Sequence, residues 1–109
     1  MTAIDALPEI FRRLVTAAQP ERIILFGAWV KATDRRDSDL DLLVIEKEPF
    51  GPDRSRLQEI SRLERAMGRL LYATDILVYI QDEVERWQSS RHHVIARALR
   101  EGTEIYARH

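Results

Sequence analysis

The chain has 109 residues, 45% hydrophobic and 32% charged, with 17 basic against 18 acidic side chains and a formal charge of -1. That length and balance fit one folded domain over residues 1–109 and argue against disorder, a second lobe, and any overall field that would draw nucleic acid or an anionic membrane. The lack of cysteine removes disulfides and thiolate chemistry and fits a reducing cytoplasm, while the absence of a signal-peptide pattern and of an apolar run of about 18 residues argues against secretion or a membrane span.

Ile4, Leu7, Phe11, Leu14 and Val15 recur at helical spacing and predict a helix over 6–18, with Pro8 in its first turn. Gln19-Pro20 ends it, and 22–26 reads as a short strand closing at Gly27. Residues 28–38 are polar and charged. Residues 40–45 are then apolar at nearly every position, the pattern of a strand covered on both faces. Pro49-Phe50-Gly51-Pro52 marks a loop, and Ser55 with Gln58 three residues on matches a capping box. Leu57, Ile60, Leu63, Met67 and Leu70 predict a helix over 53–71, and 75–80 is a third apolar strand. Asp82 is a candidate cap for a short helix through Trp87, and Val94, Ile95, Ala98 and Leu99 mark a last helix stopped by Gly102. The expected fold is α/β or α+β: a small mixed sheet of three strands with helices packed on it, one sheet face thinly covered. Association with a second copy or another protein is the natural remedy for such a face.

The chemistry concentrates between Phe26 and Val44. Asp39 and Asp41 are two residues apart at the start of an apolar strand, so alternation points both carboxylates to one face. Carboxylates about 4 Å apart would repel by roughly 4 kcal/mol at an effective dielectric near 20, and a hard cation with oxygen ligands removes that repulsion. Asp75 opens the third strand in the same way, and three acids converge if the second and third strands are neighbours. Carboxylates around one or two Mg²⁺ ions suit nucleotidyl transfer, which needs no protein nucleophile. Gly27, at the end of the first strand, is placed to start a phosphate-binding turn of free backbone N–H groups. Lys31, Arg35 and Arg36 lie in the following loop, diluted by Asp34 and Asp37.

Gly27-Ala28, ten residues, then Asp39-Leu40-Asp41 resembles the glycine-serine, spacer, Asp-x-Asp signature of polymerase β-like nucleotidyltransferases. Leu25-Phe26-Gly27, Asp37 to Val44 and Ala98 to Tyr106 are similar to the minimal nucleotidyltransferases that act as antitoxins beside HEPN toxins. The likeness runs from about Arg22 to Tyr106. It implies a polymerase β-like palm fold, with Asp39, Asp41 and Asp75 as the metal-binding and catalytic carboxylates. It further implies Gly27, Ala28 and Lys31 at the nucleotide, Mg²⁺ and ATP as cofactor and substrate, and transfer of AMP to a hydroxyl of a partner toxin. Two residues depart from the pattern: Ala28 stands where the family has serine, and Ala32 where a glycine is usual. The loss of one neutral hydrogen bond, about 0.5–1.5 kcal/mol, predicts weakened nucleotide handling before abolished chemistry.

Other residues read more plainly. Trp29 packs the loop or stacks on a base, packing being the commoner use. His92 and His93 are expected on the surface near a helix start. Arg54, Arg56, Arg62, Arg65 and Arg69, interleaved with Glu59 and Glu64, look like a solvated helix face, with partner docking as the rival reading. Three functions follow: a Mg²⁺-dependent nucleotidyltransferase, a decayed relative that neutralises its partner by contact alone, and a nucleic-acid binder. The charge balance disfavours the third.

Overall fold

The computed structural model describes residues 3–26, 40–69 and 74–108. Its elements are α1 (Ala3–Ala18), β1 (Arg22–Phe26), β2 (Leu40–Glu46), α2 (Arg56–Met67), β3 (Thr74–Ile80), α3 (Gln81–Trp87), α4 (Val94–Glu101) and β4 (Thr103–Ala107). The sheet runs β3-β2-β1-β4, with β1 antiparallel to both β2 and β4, and β2 parallel to β3. It is mixed, as expected, but among the described residues it has four strands rather than three. The additional strand, β4, follows Gly102 directly. It is an edge strand with half-wet side chains, so it lacks the continuous apolar run that betrays β2.

Alternation along the strands sends side chains to two faces, and both are covered. Ile23, Leu25, Leu42, Val44, Ile76 and Val78 pack under Ile10 and Leu14 of α1 and Leu63 and Met67 of α2. Ile24, Phe26, Leu43 and Ile45 pack under Val84 of α3 and Ile95 and Ala98 of α4. The thinly covered face expected from the short chain is therefore absent, because α3 and α4, short as they are, supply three buried anchors to it. Residues Leu42, Leu43, Val44 and Ile45 have no solvent exposure, which makes β2 the centre of both cores. Among the described residues no helix is long and apolar enough to cross a membrane.

Helix ends follow local chemistry. Ser55 Oγ accepts from Gln58 N at 3.0 Å and Gln58 Oε1 accepts from Ser55 N at 2.9 Å, a complete capping box at the start of α2. The helix is shorter than the expected 53–71, and its cap at Gly68 has φ +58°, a left-handed turn that suits glycine. Helix α1 starts at Ala3, so Pro8 lies inside it, past the first turn, against the expected start at residue 6. Burial of Ile10 and Leu14 outweighs the hydrogen bond that Pro8 forfeits. Asp82 is not the cap of α3: Glu83 Oε1 accepts from Ile80 N at 2.9 Å and does that work. Nor is His93 a bystander, since its Nδ1 accepts from Ile95 N at 3.1 Å and caps α4, while its ring stacks on Trp87 at 4.8 Å.

The arginine run also departs from the solvated face expected of it. Arg62 donates to Ala17 O at 2.7 Å and Arg13 to Met67 O at 3.0 Å, so α1 and α2 each satisfy open carbonyls at the other's C-terminal end. Arg56 pairs with Glu83 and lies over the rings of Phe50 and Tyr79. Arg65 and Arg69 remain on the surface.

Two stability predictions follow from these contacts. Replacing His93 with Ala removes a cap and a ring stack, and should lower stability by about 1–2 kcal/mol in urea unfolding. Gly102 has φ -91°, so it needs no left-handed freedom; what it needs is space. A methyl group there would lie 2.6 Å from Ala98 O, 2.7 Å from Ile24 Cγ2 and 2.8 Å from Leu25 O. Since two of those neighbours are backbone, Gly102→Ala should cost about 3 kcal/mol or more, measured in the same way, by prising β4 and α4 from β1.

Candidate functional site

Parallel strands cannot be joined by a tight turn, and here α2 lies in the connection that carries the chain from β2 to β3. The pairing that results sets Asp41 directly beside Asp75, each the second residue of its strand. On the other side of β2, Phe26 is the antiparallel partner of Asp41. Phe26, Asp41 and Asp75 thus form one row across three strands, on the face covered by α3 and α4. Neighbouring strands are about 4.8 Å apart, so the two carboxylates stem from adjacent backbones and point the same way. This juxtaposition needs the register as well as the adjacency, since a slip of one residue would turn one acid to the opposite face.

The row grades from core to solvent. Phe26 is buried at 7% exposure, Asp41 is half-buried, and Asp75 on the edge strand is exposed. Exposure changes the energetics estimated from sequence. With one partner in water, the repulsion between two such carboxylates falls toward about 1 kcal/mol at 4 Å, a load that a small domain can carry. Two carboxylates side by side on neighbouring strands, one of them open to solvent, offer hard oxygen donors of the kind that suit a divalent cation keeping part of its water shell. Among the described residues no group of three His, Cys, Asp or Glu is arranged to hold a metal, so these two acids stand as a pair.

Of the residues singled out from sequence, the described structure brings Asp41 and Asp75 together. Asp39, Gly27, Ala28 and Lys31 lie outside the described residues, as does Trp29. Phe26 was read from sequence as the end of a strand and as part of the Leu25-Phe26-Gly27 motif, with no role of its own at the site. Its position immediately before Gly27 was the available signal that it borders the site, and its pairing with Asp41 makes it the apolar wall beside the acids.

The family described as "Polymerase beta, Nucleotidyltransferase" matches residues 9–109. Among solved structures, the chain is similar to a minimal nucleotidyltransferase at 27% identity and a TM-score of 0.57, with 94% of this chain and 95% of that one covered. It is also similar to a toxin-antitoxin structure with AMP-PNP, at 19% identity and a TM-score of 0.56, covering 93% of this chain and 73% of that one. A mutant MntA-HpeT toxin-antitoxin structure aligns at 16% identity and a TM-score of 0.54, covering 93% and 72%. At those two lower identities the likeness is one of fold. No curated protein sequence matches the chain. A sheet that seats two acids in register on parallel neighbours, and a family match over nearly all of its length, lead to one assignment: the chain belongs to the polymerase β nucleotidyltransferase family.

Proposed function

We propose that this protein is a Mg²⁺-dependent nucleotidyltransferase that transfers AMP from ATP to a hydroxyl of a partner protein, and that the partner is a HEPN-type toxin it neutralises. The observation that carries the reading is the in-register pair Asp41 and Asp75 at the edge of the sheet, in a chain of this family. A structural neighbour is a toxin-antitoxin structure with AMP-PNP, which supports both the nucleotide and the kind of partner.

On this reading Asp39, Asp41 and Asp75 hold the metal, Gly27 offers backbone N–H groups to the phosphates, and Lys31 pairs with phosphate oxygens. Bound magnesium would neutralise phosphate charge and orient the pyrophosphate leaving group. The acceptor hydroxyl oxygen bonds to the α-phosphorus as the bond to pyrophosphate breaks, and Asp75, open to solvent, takes the hydroxyl proton. Phe26 walls the site on its core side. The place of action is the cytoplasm, and residues 1–109 act as one domain.

Incubation with labelled ATP, magnesium and the cognate toxin should label the toxin. Asp41→Asn and Asp75→Asn should each cut labelling by more than about 100-fold, since the loss of a metal ligand exceeds the 10–100-fold typical of supporting residues. Absence of transfer by the wild-type protein would remove the enzymatic reading.

Ala28, where the family has serine, favours a second reading, in which the fold persists and neutralises its partner by contact alone. The two readings part on Asp41→Asn: an enzyme loses neutralisation with that change, and a binding module keeps it. Ala28→Ser should raise ATP affinity by about 2–10-fold if the phosphate site works, the equivalent of one neutral hydrogen bond. An unchanged affinity would favour the scaffold.

A further inference from the structure

About 16 Å along β2 from Asp41, the strand ends on a second acid that points the other way. Glu46 faces α2 and meets Glu59 there, and both side chains are almost fully buried, at 4% and 5% exposure. Arg54 bridges them, pairing with Glu46 Oε1 and lying 3.8 Å from Glu59 Oε2. Arg62 grips Glu59 with both arms of its fork, at 2.8 and 2.7 Å. Glu48, mostly in solvent, adds a third carboxylate 3.4 Å from Arg54. Three carboxylates therefore contact two guanidinium groups, one negative charge too many.

A second observation falls on the same spot. Glu46 Oε2 is buried and has no hydrogen-bond partner. An orphaned carboxylate oxygen beside another buried carboxylate is costly twice over, by lost solvation and by repulsion. A proton on Oε2 removes both costs: the orphan acceptor becomes a donor to Glu59, and the cluster of three carboxyls and two arginines becomes neutral. The cluster lines an open cavity of about 830 Å³. Its other charged neighbours, Lys47 and Asp53 from the turn after β2 and Arg65 from α2, add a net charge of +1, but all three are exposed and their field is screened by water. The end of α1 contributes the uncharged Ala18 and Gln19.

We propose that Glu46 and Glu59 share one proton in the folded protein, and that this proton locks α2 against the end of β2, making the stability of that junction depend on pH. The lock sits on the helix that connects the Asp41 strand to the Asp75 strand, at the end remote from them. It is independent of the catalytic reading.

Burial, then Glu59, push Glu46 up to about 8, while the Arg62 hydrogen bonds hold Glu59 well below the usual carboxylate range. A carboxyl raised on folding contributes stability that is whole below its unfolded value of 4.5 and is lost as pH rises to about 8. Glu59, lowered on folding, contributes stability that is present above 4.5 and is lost only as pH falls below it. The window to examine therefore lies on the alkaline side.

Urea unfolding of the full chain between about pH 5 and 9 tests the lock. The wild-type folding constant should fall with rising pH up to about 8, by as much as about tenfold per pH unit. Glu46→Gln keeps a donor toward Glu59 and has no proton to lose, so it should flatten that fall and exceed the wild type in stability at about pH 9. A Glu46→Gln profile parallel to the wild type would overturn the proposal. The carboxyl-carbon NMR shift of Glu46 in the wild-type chain decides the matter even if the variant does not fold: a protonated carboxyl at about pH 6.5 is expected, and an ionised one would refute the lock.

Discussion

The parallel pairing of β2 with β3 determines both where the sheet is buried and where its acids meet. It forces a helical crossover and puts β2 in the middle of the sheet, where Leu42, Leu43, Val44 and Ile45 are buried from both sides. A strand so enclosed can carry charge only at its ends. β2 carries it at both, with Asp41 before the apolar block and Glu46 after it. Because they are five residues apart, the two acids leave by opposite faces as well as opposite ends.

Each acid meets a second carboxylate, and the surroundings decide the outcome. Asp41 meets Asp75 on an edge strand, where water screens the pair and leaves it accessible. Glu46 meets Glu59 beneath α2, where two arginines and burial impose a stricter balance. The same physics of like charges thus yields an open pair suited to a hard cation at one end and a closed pair suited to a proton at the other. Crossover helix α2 is tied to both: it leads to the strand of Asp75 and it carries Glu59.

Legibility in the sequence followed burial. Strands β1, β2 and β3 were readable because apolar residues fill them, and the capping box at Ser55 was readable because a box is local chemistry. Strand β4 was not, since an edge strand of mixed side chains carries no periodic signal. Asp41 and Asp75 could be picked out singly as acids opening apolar strands. Their exact opposition is a matter of register, which depends on how α2 docks and is written nowhere in the local sequence. The arginines misled for a similar reason: interleaved charge looks solvated until the fold sets Arg54 and Arg62 over buried glutamates contributed by β2 and α2. Gly102 was rightly read as a helix stop, but the cause is the close approach of β1 rather than a left-handed turn.

Paramagnetic relaxation by Mn²⁺ maps a divalent cation onto the backbone without requiring turnover. Titrated into the labelled protein with a non-hydrolysable ATP analogue, Mn²⁺ should broaden the amides of Phe26, Asp41, Leu42, Asp75 and Ile76, sparing those around Glu46, and excess Mg²⁺ should reverse the effect. Broadening centred on the Glu46 end of β2, or none that saturates, would contradict the assignment of the Asp41 and Asp75 row as the metal site.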